Sequence, residues 1–144
     1  MKNLFQAVLI AGVLVVAAGQ PAGAQQAQRV VEFHAPFAFQ VEDAKLPAGD
    51  YTILEQSGWV QIQTQGGKNA AHVLTMPVVS KGQKTIEQSQ VVFHSYAGHM
   101  FLAEIWATGQ EKGRELLQSK EEQRWAKQEK MATVIAPAHS IAAK

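Results

Sequence analysis

The stretch DYTILEQ-SG-WVQIQTQ-GG-KNAAHV, residues 50–73, constrains the fold more than any other part of the chain. Apolar residues alternate around two glycine-bearing turn signals, and a two-residue period is that of a strand with one buried face. A two-residue turn at Ser57-Gly58 sets Gln56 against Trp59, Glu55 against Val60 and Ile53 against Ile62. A second at Gly66-Gly67 sets Gln65 against Lys68 and Ile62 against Ala71. These independent turns deliver Tyr51, Ile53, Val60, Ile62, Ala71 and Val73 to one face, with Glu55 the only charge among them. A one-residue slip in either turn would scatter the set, so a three-stranded antiparallel meander is specified.

The other face of the meander is mixed. It carries Thr52, Gln61, Gln63 and His72, but also Leu54, Trp59, Leu74 and Met76. An apolar strip on an outer face needs a cover or a partner. Trp59, Leu54 and Leu74, with Tyr96 near a later hairpin tip, form the candidate contact surface, because aromatic rings stack on sugars or anchor proteins. The competing expectation is that a C-terminal helix covers the strip through Trp125.

The rest of the chain repeats the β pattern. VVEFH at 30–34 reads as a strand, and FAFQV at 37–41 puts Phe37, Phe39 and Val41 on one face. Leu46-Pro47-Ala48-Gly49 is a turn, with Pro presetting φ and Gly in its favoured fourth place. A long strand at 85–95 pairs with 99–108, and RELL at 114–117 is a short extended piece. SKEE at 119–122 has the capping-box spacing, which predicts a helix over about 120–131. Residues 132–144, with Pro137 and no clear period, read as a mobile tail. The expected fold is all-β and mainly antiparallel: a single β-sandwich or partly open barrel of about seven or eight strands with one C-terminal helix.

Residues 1–24 belong to a different pattern. Lys2 is followed by an uncharged run and then by Ala22-Gly23-Ala24, the three-part form of a secretory signal. Cleavage after Ala24 makes Gln25 the mature N-terminus, with 25–29 a polar leader and 30–131 the β-domain. No transmembrane segment is expected after cleavage, so the destination is the periplasm or the medium. The chain has no cysteine, so an exported domain of this size relies on its apolar core instead of disulfides. It carries 13 basic and 12 acidic residues, and loss of Lys2 balances them. With no basic stripe, nucleic acid is not an expected partner.

Four stretches carry a resemblance: PFAFQV, LPAGDY, the run from Phe93 to Trp106 ending in FLAEIW, and SKEE after GREL. Together they resemble a family of small exported acidobacterial proteins with Pro-Phe-x-Phe, Leu-Pro-Ala-Gly-x-Tyr and Phe-Leu-x-x-Ile-Trp motifs. Ala97 between Tyr96 and Gly98, and Gln123 between Glu122 and Arg124, depart from that family's pattern. The resemblance implies export and a β fold, and it brings no catalytic residue, because the family has no assigned activity.

VVFHSYAGHMFLAEIW, residues 91–106, gathers His94, Tyr96, His99, Glu104 and Trp106. With a two-residue turn at Ala97-Gly98, His94 and His99 share a face and Glu104 points away. With a three-residue turn, preferred because it groups Val91, Phe93, Phe101, Ala103 and Ile105, His94 joins Glu104 and His99 points away. Neither register unites all three, so no metal site or cofactor is expected. Glu104 is expected to pair with Arg114 or Lys84, and Trp106 to lie in the core. Motifs for nucleophilic catalysis or phosphate binding are missing from the sequence. The leading expectation is an exported non-enzymatic β-domain that binds a cell-envelope polysaccharide or protein. The alternatives are a small hydrolase or metal-dependent enzyme using Glu104 with His94, and an assembly subunit joined through exposed edge strands. The protein recovered from the exported fraction is expected to start at Gln25, which N-terminal sequencing checks; a start at Met1 would refute the cleavage site.

Overall fold

A computed structural model describes residues 29–82 and 85–142. The expected secretory signal and its Ala24–Gln25 junction lie outside the described residues. Ten strands and one helix follow in order: β1 (Arg29–Ala35), β2 (Phe39–Val41), β3 (Ala44–Leu46), β4 (Gly49–Gln56), β5 (Trp59–Thr64), β6 (Asn69–Val79), β7 (Gln90–Tyr96), β8 (His99–Trp106), β9 (Lys112–Leu116), α1 (Lys120–Gln128) and β10 (Met131–Ala142). Eight of the strands close into a barrel in the order β10-β1-β4-β5-β6-β9-β8-β7, and β7 pairs with β10 to complete the circle. The short β2–β3 hairpin is added outside this ring, with β2 lying parallel to β8 at Gln40 and Phe101. Among the described residues the protein is thus mainly antiparallel β with one helix, and the barrel is closed.

The meander forms as the alternation requires. Gln56 faces Trp59, Ile53 faces Ile62, and Val60 faces Val73. Ile53, Val60 and Ile62 are completely buried, and they join Val31, Val91, Phe93, Leu102, Ile105 and Leu116 in one interior cluster. An eight-stranded barrel has an interior just wide enough for side chains to fill. One end is packed with aromatic rings: Phe33, Phe39, Tyr51 and Phe93 lie with centroids 5.1–6.1 Å apart. Tilted, edge-on and stacked pairs of this kind add about 0.5–1.5 kcal/mol each beyond the area they bury. Tyr51 spends its hydroxyl on the Pro47 carbonyl, which ties the Leu-Pro-Ala-Gly turn to the core, and burial raises the Tyr51 pKa. At another point on the wall, Glu55 accepts from Arg114 Nε at 2.8 Å, so the meander's one inward charge meets a cation from β9.

Two expectations about the chain's end are corrected. The helix stops at Gln128, sooner than 131. Residues expected to be a mobile tail instead form β10, a twelve-residue strand. Its first half pairs with β7, from Met131 opposite Tyr96 to Pro137 opposite Gln90. Its second half pairs with β1, from Ala138 opposite Phe33 to Ala142 opposite Arg29. Pro137 sits where the strand changes partners, the place in a ladder where a missing N–H costs least. Ala136 and Ala138 are buried because their small side chains meet the interior. The long strand expected at 85–95 begins only at Gln90.

Because β10 joins β1 to β7, a chain truncated after Lys130 loses the barrel's closure along both neighbours. Such a protein is expected to lose its cooperative urea transition; a transition matching the full chain's would show that β10 is dispensable.

Candidate functional site

Both long hairpins contain a β-bulge, and each bulge moves a polar side chain to the outside of the barrel. A bulge inserts one residue into one strand of a pair and so reverses which face the following residues occupy. On β5–β6, Ile62 faces Ala71 but Gln63 faces Asn69, leaving Ala70 as the extra residue. The intended two-residue turn at Gly66-Gly67 is replaced by a longer one, in which Thr64 N–H donates to the Lys68 carbonyl at 2.9 Å and Gly67 takes a φ of 78°. Asn69 therefore joins Gln61 and Gln63 on the outer face.

There Asn69 Oδ1 accepts from both Gln61 Nε2 and Gln63 Nε2, the latter at 3.1 Å. A shallow groove of about 270 Å³ runs along Gln61, Asn69, Ala70, Ala71 and His72. Trp59 stands beside it, half-buried, with its ring edge-on to His72 at 4.0 Å between centroids. Next to Trp59 across the ladder is Leu74, 64% exposed, and Met76 beyond it is 48% exposed. Leu54 is half-buried on the same side. Trp59, Leu54 and Leu74 are thus brought together as the residue pattern predicted. The helix does not cover them: Trp125 stacks on His99, at 3.9 Å and 24° between ring planes.

The hairpin of β7 and β8 holds the second constellation. Its turn has two residues, Ala97 and Gly98, both at positive φ (49° and 86°), so the preferred three-residue turn is corrected. Positive φ at both central residues is the primed turn that suits the twist of a hairpin. His94 consequently faces Phe101, and Tyr96 faces His99. The bulge then intervenes: Phe93 faces Leu102 but Val92 faces Glu104, with Ala103 as the extra residue. The consequence is that His94, His99 and Glu104 share the outer face, which neither regular register allowed.

Each of these groups is engaged. His94 Nδ1 lies 2.9 Å from Glu122 Oε1, and Tyr96 donates its hydroxyl to the same oxygen at 3.3 Å. Glu122 comes from α1 and is only 4% exposed. Ser119 caps that helix by accepting from Glu122 N–H at 3.1 Å, as the capping-box spacing predicts, but the Glu122 carboxylate reaches the barrel. The bond to Glu122 raises the His94 pKa, partly offset by burial, with the charges of Glu122, Glu104 and Glu115 pushing the same way as the bond. Burial, together with Glu122, also raises the Tyr96 pKa. Tyr96 is 2% exposed, so its expected place on a contact surface is corrected: it lies beneath the helix.

Glu104 accepts from Trp106 Nε1 at 2.7 Å, and Arg114 pairs with Glu55, so the expected Glu104–Arg114 pair is also corrected, while Lys84, the other expected partner, lies outside the described residues. Trp106 is buried on this outer side and lies over Gly113. Among the described residues, no three His, Asp or Glu side chains are grouped to hold a metal ion, and no helix is long and apolar enough to cross a membrane. Comparison of the chain with family models, curated proteins and solved structures finds no match.

The residue pattern placed Gln61 and Gln63 on one face but missed Asn69 as their partner, and it missed Glu122 as a partner of His94. The bulges that assemble these groups have no mark in the hydropathy pattern beyond the extra alanine each one contains. At Gly113 a Cβ would come within 2.7 Å of the Trp106 ring and 2.8 Å of the Ile105 carbonyl. Gly113→Ala is therefore expected to destabilise by about 1–3 kcal/mol, read as a lower urea midpoint together with red-shifted tryptophan emission.

Proposed function

We propose that this chain is an exported, non-enzymatic barrel that binds a neutral cell-envelope polysaccharide on the outer face of β5 and β6. The observation that carries the reading is the bulge-assembled row of Gln61, Gln63 and Asn69 beside the Trp59–His72 ring pair. Amides offer both donors and acceptors without charge, which matches sugar hydroxyls. Indole offers a flat apolar surface for the C–H face of a pyranose. Core side chains fill the barrel, so an outside surface suits a ligand better than the interior does.

Affinity electrophoresis of the mature protein through gels containing neutral polysaccharides tests this. Retention is expected to survive raised salt, because no ion pair is involved, and Trp59→Ala is expected to weaken it about tenfold, as loss of a central aromatic contact does. Gln61→Ala with Gln63→Ala should weaken it as well. A protein retarded by no neutral polysaccharide, or a Trp59→Ala variant retarded as strongly as wild type, would remove the reading.

One observation favours a second reading, a protein-binding or assembly role: Leu74 and Met76 are exposed alongside Trp59. This reading predicts concentration-dependent association in sedimentation velocity that Leu74→Asp abolishes, and it fails if the wild-type protein sediments as a monomer at all concentrations and captures no envelope protein through that face.

A further inference from the structure

Helix α1 is attached to the barrel in an unusual way for so short a helix. A nine-residue helix has little stability of its own and ordinarily docks through an apolar stripe. Here Glu122 is the only one of its residues that is buried. The other attachments are polar or aromatic: Gln40 Nε2 donates to Glu121 Oε2 at 2.9 Å, and Trp125 stacks on His99. Two of the three attachments therefore end on a histidine of β7 or β8.

We propose that α1 is a proton-controlled strap, held across β7 and β8 through the His94–Glu122 contact while His94 is protonated, and loosened when His94 gives up its proton. Loosening uncovers Tyr96, which lies on the outside of the barrel and yet is 2% exposed. The groups that face the pair are known from each element. Tyr96 of β7 bonds Glu122, Glu104 of β8 and Glu115 of β9 act on His94 through their charges, and the neighbouring Glu121 of α1 is faced by Lys45, Arg124 and His99. The charges that act on His94 itself are acidic, and Glu122, Glu104 and Glu115 all favour the charged imidazole.

The direction of the pH response follows. Docking raises the His94 pKa above the ordinary histidine value of 6.5, so docking takes up a proton. Its contribution is complete below that ordinary value and is lost as pH climbs through the raised one. The Glu121 attachment behaves differently. The Gln40 bond lowers the Glu121 pKa, so this carboxylate stays ionised throughout the neutral range and the Gln40 link persists. The strap thus loosens at its Glu122 contact and keeps a tether at Glu121.

Amide hydrogen exchange followed by NMR on the mature protein tests the proposal. Protection of the helix amides, corrected for the intrinsic pH dependence of exchange, is expected to fall about threefold between about pH 6 and about pH 8.5, the size a partly exposed ion pair supports. Protection in β4 and β5 should hold steady over the same range. In Glu122→Gln the helix should be weakly protected at both pH values. Equal protection of the wild-type helix at both pH values overturns the proposal, as does a Glu122→Gln variant that keeps the dependence. Should the variant lose its β4–β5 protection and so fail to fold, the wild-type His94 ring decides: titration above the free histidine value supports the strap, and titration at or below it overturns it.

Discussion

Closure of the sheet is the constraint on which the rest of this structure depends. A ring of eight strands leaves no backbone ladder open around its circumference and creates a single apolar interior. The seam is narrow: β8 and β9 meet through Glu104 opposite Glu115 and Ile105 opposite Arg114. Trp106 lying over Gly113 seals this seam from outside, and Arg114 reaching Glu55 braces it from within. Only glycine lets the indole come so close to the strand. A filled interior then dictates where chemistry can be placed, because polar groups that are not paired inside must go to the outer wall.

The outer wall is organised by two bulges. In a regular hairpin the two-residue period would send Asn69 inward and would separate Glu104 from His94. One extra alanine in β6, Ala70, and one in β8, Ala103, each reverse the alternation locally. The same device thus builds an uncharged amide row on one side and an ionisable constellation on the other. The two faces differ in how they are covered. The amide row lies open beside Trp59 and Leu74, whereas α1 crosses the ionisable face and buries Glu122 against His94 and Tyr96.

Much of the fold was legible because it is written in local order. The alternation in 50–73 fixed strand faces, Ser57-Gly58 set a hairpin that formed in the expected register, and the Ser119 cap began the helix where its spacing said. The candidate surface was legible in part. Trp59, Leu54 and Leu74 share a face because residues two apart on one strand and opposite one another across a tight turn must do so. Tyr96 shows the limit: its hairpin was recognisable, but its turn has two residues where three were preferred, and the element that covers it comes from residues 119–128.

What the sequence determined by itself was strand periodicity, the positions of tight turns, the helix start and the absence of disulfides, all of which rest on neighbours within a few residues. Only the tertiary structure decided that 131–142 would be a strand, since ATVIAPAHSIA has no period until β7 and β1 supply its ladder partners. The two bulges, the Glu122–His94 contact and the stacking of Trp125 on His99 were decided there too. The two helix contacts depend on a segment that follows the hairpin it packs on, and the bulges, though they lie within hairpins, are marked by no local pattern.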